Sequence, residues 1–377
     1  MSATPTRHDC IIVGAGIVGL AHALAAARRG RRVLVLDRDA AANGASIRNF
    51  GFVTVTGQEA GTVWQLARRS AAIWAEVAPL AGIPIVQRGL LLAAHRPEAE
   101  AVLDAFAETE MGRDCHRLPA DELARDWPML VPPRAALWSP HDLRVESAEA
   151  IPRLAGWLAA AHGVTFQYGT AVHAVAQGRI ETNHGTLFAD QIIVCPGDDW
   201  STLFPDLYAE AGITRCKLQM LRLAAPAWRL PSPVMGDLSM VRYLGYAALP
   251  QAAALRARLE GEPAAAAALA DGIHLIAVQS ADGSLVVGDS HHYAPTPDPF
   301  ASDAIDARIL AAYAELLGAP PRVQARWTGT YASAAGHSIV RSPAPDVRLV
   351  VVTSGTGAST SFALAEHVLT ELMGETA

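Results

Sequence analysis

Asp9-Cys10-Ile11-Ile12-Val13-Gly14-Ala15-Gly16-Ile17-Val18-Gly19, followed by Val33-Leu34-Val35-Leu36-Asp37, reads as strand, glycine turn, helix, strand and acid. A dinucleotide-binding unit needs these parts in this order. The apolar run Ile11 to Val13 enters the turn, where Gly14 permits the tight bend and Gly16 lets backbone approach a pyrophosphate. Gly19 lets the helix pack against the strand. Ala15, Ile17 and Val18 complete the turn and helix start, whose N–H groups and positive dipole end favour phosphate. Asp37, with Arg38 beside it, ends the second strand, where a carboxylate accepts hydrogen bonds from ribose hydroxyls. The same charge would repel a 2′-phosphate, which argues against NADP. Glycines alone would mark no more than a tight turn; the two strands, helix and acid in register carry the reading.

The rest of the composition fits an enzyme built around that unit. At 377 residues the chain exceeds one ordinary core, so two domains or one elaborated domain are expected. Hydrophobic residues make up 51% and charged residues 18%, which suits a well-buried protein rather than a disordered one. A formal charge of −7 gives no electrostatic reason to meet nucleic acid or an anionic membrane. No apolar run reaches the length of a membrane span, and the apolar stretch after Arg7 is the glycine turn rather than a signal peptide. Cys10, Cys115, Cys195 and Cys216 form no CxxC and read as buried thiols in a reducing compartment, not as disulfides or metal ligands. A cytoplasmic protein without a metal centre is expected. The oligomeric state stays open.

Along the chain, helices are expected over about Glu59–Ala78, Pro97–Glu110, Ala148–His162, Gln251–Ala270, Ala304–Leu317 and Phe362–Met373. Strand-like runs lie at Gly89–Ala94, Val164–Phe166, Ala171–Val175, Gln191–Cys195, Lys217–Leu223, Tyr243–Leu249, Ile273–Gln279, Leu285–Gly288 and Val347–Thr353. The proline-rich stretch Trp127 to Pro140 reads as a crossover. The first and last thirds are α/β in pattern and the middle is richer in strands, so two interleaved domains fit better than two consecutive ones.

Four separated motifs then point one way: the N-terminal unit, Gly44-Ala45-Ser46-Ile47-Arg48-Asn49-Phe50-Gly51, Val194-Cys195-Pro196-Gly197-Asp198-Asp199-Trp200, and Ser354-Gly355-Thr356-Gly357-Ala358-Ser359-Thr360. In this order, over nearly the whole chain, they resemble the FAD-dependent D-amino acid oxidase superfamily, which includes glycine oxidase and sarcosine oxidase. The resemblance implies a Rossmann-like FAD-binding domain (residues 1–85, 141–212 and 326–377). It implies, interleaved with it, a smaller α+β substrate domain on a mostly antiparallel sheet (86–140 and 213–325). It also implies that Ser46, Arg48 and Asn49 reach the pyrophosphate or flavin, that Val172 meets the adenine, and that Gly197 and Trp200 line the FAD. Gly355, Thr356, Gly357, Ser359 and Thr360 would bring helix-start N–H groups to the flavin pyrimidine. Some features depart from relatives. Ser354 stands where many carry His, and Arg326-Trp327-Thr328-Gly329-Thr330-Tyr331 lacks both the usual carboxylate-clamping Arg and a following cysteine for flavin attachment. Non-covalent FAD is expected. The pattern is most similar to a branch associated with phosphonate breakdown, which implies oxidation of aminophosphonates such as 2-aminoethylphosphonate derivatives.

Amine oxidation of this kind needs a neutral amine with its Cα–H aimed at the flavin in a dry site. The expected substrate is a small anionic amine and the acceptor O2 or another electron acceptor. Arg326 is the expected cationic clamp and Lys217 a second cation, while His292, from His291-His292-Tyr293, and Tyr246, beside Tyr243, complete the candidate catalytic set. A surface arginine, a structural lysine ion pair and a core tyrosine are the plain alternatives. His337 and Tyr331 are weaker candidates, and His22 reads as packed. Glycine, sarcosine or D-amino acid oxidation, an acceptor-linked dehydrogenase, and a non-catalytic flavoprotein remain as competing readings.

Overall fold

The structure, a computed structural model, describes residues 7–375. The opening strand Arg7–Val13 is parallel to Val33–Leu36 on one side and to Gly185–Val194 on the other. The sheet continues outward to Thr165–Gln167 past the second strand, and to Val347–Val352 and Ser338–Ala344 past the third. A hairpin, Val172–Ala176 with Arg179–Thr182, completes eight strands. Ile11, Ile12 and the whole of Val33–Leu36 are buried, as a sheet covered on both faces requires. The helix Ile17–Arg28 lies close on this sheet because alanines line it and because Gly19 carries no side chain. A Cβ there would come within 1.8 Å of the Gly14 carbonyl oxygen. The C-terminal helix Gly357–Met373 packs against Ile17–Arg28 and Thr62–Leu80.

A second sheet of ten strands is built from the middle of the chain. Its long members are Ile85–Ala94 with Ala135–Val145, and Thr214–Leu223 with Val323–Ser333, both pairs antiparallel. Ile276–Gln279, Leu285–Gly288 and the short strands Phe52–Val53, Val234–Met235, His116–Arg117 and His292–Ala294 fill it out. The fold is thus α/β, with a nucleotide-type sheet and a mostly antiparallel sheet threaded by alternating stretches of one chain.

Several elements differ from the sequence reading. Tyr243–Leu249 is not a strand: Leu244–Ala247 forms a short helix, tied down where the Gly245 N–H donates to the Gly57 carbonyl at 2.9 Å. The crossover ends at Ala135, and Pro140 sits inside the strand that follows, near a register shift against Arg88 and Leu90. The helix over 251–270 is two helices, broken at Gly261–Glu262 and restarted by Pro263. The last helix starts at Gly357, five residues early. Sheet membership moves the expected divisions: Ala135–Val145 stays with the second sheet past 140, and Val323–Ser333 carries that sheet past 326.

Candidate active site in the cleft between the sheets

A cleft of about 920 Å³ runs between the two sheets, near the upper end for small-molecule sites. Its floor at one end is the glycine turn. Gly14 has φ +104°, and a Cβ on it would lie 2.2 Å from the Cys195 carbonyl oxygen, so only glycine fits there. A Cβ on Gly16 would meet Ser46 Oγ at 2.9 Å. Asp37 accepts from the Ala15 N–H through Oδ2 (2.7 Å) and from the Asp39 N–H through Oδ1 (2.9 Å), which fixes its carboxylate at the cleft wall. Ser46 Oγ accepts from the Ile17 N–H at 2.9 Å, joining the loop to the helix start. Neither Gly16 nor Thr356, the residues that precede the two cleft helices, makes a side-chain cap, so both helix starts offer backbone donors to a ligand.

Most of the expected cofactor residues line this cleft: Gly14, Gly16, Ile17, Val18, Asp37, Arg38, Ser46, Arg48, Asn49, Val172, Gly197, Gly355, Thr356, Gly357 and Ser359. Some already have structural partners. Asn49 accepts from the Gly51 N–H and the Ser147 hydroxyl while donating to the Ala45 carbonyl, so it shapes its loop. Arg38 pairs with Asp199. Ala15, Gly19, Trp200 and Thr360 lie outside the lining. Trp200 carries the Arg215 guanidinium over its ring at 3.8 Å, and Thr360 donates back to the Thr356 carbonyl. A carboxylate at the strand end, two uncapped helix starts and glycines that leave room for backbone approach fit an extended dinucleotide such as FAD.

The inner end of the cleft is lined by Thr54, Gln58, Arg242, Tyr243, His274, Asp289, His291, Tyr293 and Tyr331. Arg242 donates to the Tyr293 hydroxyl at 2.9 Å and, among the described residues, pairs with no carboxylate. Asp289 is buried between two imidazoles, with His274 Nε2 3.2 Å from Oδ1 and His291 Nε2 3.8 Å from Oδ2. Burial holds His291 well below the usual imidazole range, so the ring is neutral at neutral pH. Burial works to raise the Asp289 pKa, while the His274 hydrogen bond and the Arg242 guanidinium hold it down, and the group is a carboxylate.

The four residues expected to be catalytic do not meet in this cleft. Arg326 pairs with buried Asp306 of the helix Asp303–Leu317, on the other face of its sheet. Lys217 reaches the Phe300 carbonyl at 3.0 Å, and Asp298 lies beside it. His292 points toward Asp271 at 3.9 Å, half exposed. Tyr246 is fully buried, with its ring 4.6 Å from Phe106 and against Gly57. Strand alternation explains three of the four: Leu218, His291, Tyr293, Gly329 and Tyr331 face the cleft, so neighbours of opposite parity face away. Arg242, His274 and Asp289 escaped the sequence reading altogether. The available signal was alternation along Asp289, His291 and Tyr293, which puts all three on one face.

The DAO family of FAD-dependent oxidoreductases matches residues 9–372, and the chain belongs to it. FAD is its cofactor and redox chemistry its class of reaction. No curated protein matches the chain by sequence. Among solved structures the fold is similar to glycine oxidase from Geobacillus kaustophilus, at 19% identity and TM-score 0.76 over 99% of this chain and 96% of that one. It is likewise similar to L-proline dehydrogenase from P. horikoshii, at 18% identity and TM-score 0.77 over 99% and 95%. Iminodiacetate oxidase from Chelativorans sp. BNC1 matches at 19% and 0.70 over 98% and 96%. Among the described residues no helix is long and apolar enough to cross a membrane.

Proposed function

We propose that the chain oxidises a small primary or secondary amine bearing an acidic group, with an aminophosphonate such as a 2-aminoethylphosphonate derivative as the leading substrate. The observation that carries this reading is Arg242: a guanidinium that lines the cofactor cleft, donates to the Tyr293 hydroxyl and, among the described residues, forms no salt bridge with a carboxylate. An arginine fork so placed binds a carboxylate or phosphonate in two-point contact. The similar structures described as glycine oxidase, L-proline dehydrogenase and iminodiacetate oxidase support a substrate that joins an amine to an acid. FAD held at the glycine turn and the Gly357 helix start would supply a two-electron oxidant for the carbon next to nitrogen, with O2 as the final acceptor and hydrogen peroxide as its product. The chain's part is to fix the acid at Arg242, present the amine carbon, and exclude water with Tyr243, Tyr331 and Ile276. The product imine hydrolyses to a carbonyl compound.

Anaerobic bleaching of the flavin band near ~450 nm tests this directly. The panel is 2-aminoethylphosphonate, its N-methyl and 1-hydroxy derivatives, glycine, sarcosine and D-alanine. Bleaching by aminophosphonates supports the leading substrate. Bleaching only by the amino acids moves the chain to the glycine, sarcosine and D-amino acid group. Peroxide in air, against reduction of an artificial acceptor, separates an oxidase from a dehydrogenase.

A further inference from the structure

Three buried acceptors converge opposite Arg242. The His291 Nδ1 lies 2.9 Å from the Gly272 carbonyl, which can only accept, so Nδ1 carries the ring proton. The neutral ring therefore turns a bare lone pair on Nε2 toward Asp289 Oδ2 at 3.8 Å. Asp289 Oδ1 has His274 Nε2 at 3.2 Å, and His274 Nδ1 is buried without a hydrogen-bond partner. One ligand atom from each of His274, Asp289 and His291 lies within 4.8 Å of the others. Lone pairs facing a carboxylate in a dry site are costly unless a donor comes between them.

The missing partner must be small, rich in donors and positively charged. An ammonium group meets all three needs. A metal ion would add a second cation to a cavity that already holds the Arg242 charge, whereas the ammonium of a zwitterion brings its own anion to that guanidinium. We propose that His274, Asp289 and His291 form the amine end of the substrate site, where Asp289 pairs with the incoming ammonium and the His291 Nε2 lone pair accepts a hydrogen bond from it. This rests on the amine reading above. The ammonium supplies the donor that the buried lone pairs need and a countercharge for Asp289. The titratable and charged groups that face His291 are Asp289 and Tyr293 from its own segment, Arg242 and Tyr243, His274, and Tyr331.

The test compares holoenzyme of the wild type, Asp289→Asn and His291→Asn, using the best reductant of the amine panel from about pH 6 to about pH 10. The wild type is expected to hold KM nearly level below the amine's own pKa, because it binds the ammonium form. His291→Asn is expected to raise that KM about tenfold, since one acceptor of the ammonium is lost. Asp289→Asn is expected to raise KM about 100-fold while binding methylphosphonate, an anion without an amine, as the wild type does, read from the flavin spectrum. A wild type whose KM rises about tenfold per pH unit below that pKa overturns the proposal without any variant. So does a His291→Asn profile that matches the wild type, or one metal ion per chain in the wild type that Asp289→Asn lacks. A wild type that binds methylphosphonate but is reduced by no amine defeats the amine reading, and this inference falls with it.

Discussion

At the scale of single residues, Arg242 and His22 show opposite uses of a polar side chain. Arg242 lines the cleft and forms no salt bridge among the described residues, so its removal is read in binding. Arg242→Met is expected to raise KM for the acidic amine about 100-fold with the bound flavin spectrum retained, and Arg242→Lys to recover part of that through charge without the fork. Equal KM in all three proteins would remove Arg242 from the site. His22 is fully buried on the first helix; its Nδ1 lies 2.7 Å from the Val18 carbonyl, and its Nε2 has no partner. Burial pushes its pKa down to about 4, with the Val18 hydrogen bond opposing. Between about 6.5 and about 4 the unfolded chain binds the proton and the native chain does not, so stability rises with pH through that window and is lost below it. His22→Gln is therefore expected to flatten the fall in melting temperature between pH 6.5 and pH 4, where the wild type loses on the order of 2 kcal/mol. Parallel curves for the two proteins would contradict it.

At the scale of elements, the direction of a strand residue decides whether its chemistry is available. The glycine turn was legible in the sequence because its spacing lies within one strand, turn and helix, although the atoms that Gly14 and Gly16 make room for, Cys195 O and Ser46 Oγ, come from other stretches of the chain. The nucleotide end of the cleft was legible for the same reason. The inner end was not, because it joins Arg242, at the edge of a short helix read as a strand, to His274 just before the strand Ile276–Gln279 and Asp289 just after Leu285–Gly288. Adjacent residues of the same type hid the rest: His291 and His292 differ only in which face of one strand they occupy. Arg326 and Lys217 likewise occupy the face turned to the helix Asp303–Leu317 and the loop before it. Arg326→Met and Lys217→Met are thus expected to keep kcat/KM within about twofold of the wild type. Arg326→Met leaves Asp306, 6% exposed, with Gln219 as its remaining side-chain donor, and should lower stability by about 1–2 kcal/mol in denaturant titration. A large loss of catalysis with unchanged stability in Arg326→Met would return that residue to the substrate site.

At the scale of the whole molecule, the two sheets form one packed body. A single cluster of buried apolar residues runs from Ile12 and Val33 of the nucleotide sheet through Trp74 and Phe362 to Leu91, Met220 and Val287 of the other. Hydrogen bonds tie the layers around the cleft: the Thr54 N–H to Ser359 Oγ at 2.8 Å, Thr330 Oγ1 to Asp198 at 2.6 Å, and the Trp327 indole N–H to the Arg48 carbonyl at 3.3 Å. The cleft residues that would hold FAD come from separate stretches of the chain, so FAD would bind the native chain and not the unfolded one. At a free concentration of 100 times its dissociation constant, such a ligand adds about 2.7 kcal/mol. Removing FAD is therefore expected to lower the melting temperature by several degrees, in proportion to the logarithm of the FAD concentration restored. The continuous core further requires that both layers melt together, in one transition, with or without the cofactor. The check is a calorimetric scan of holoprotein, apoprotein and reconstituted protein. Two transitions in the apoprotein, with only one of them moved by FAD, would mean that the sheets fold as separate bodies and that the cleft between them is assembled by the cofactor.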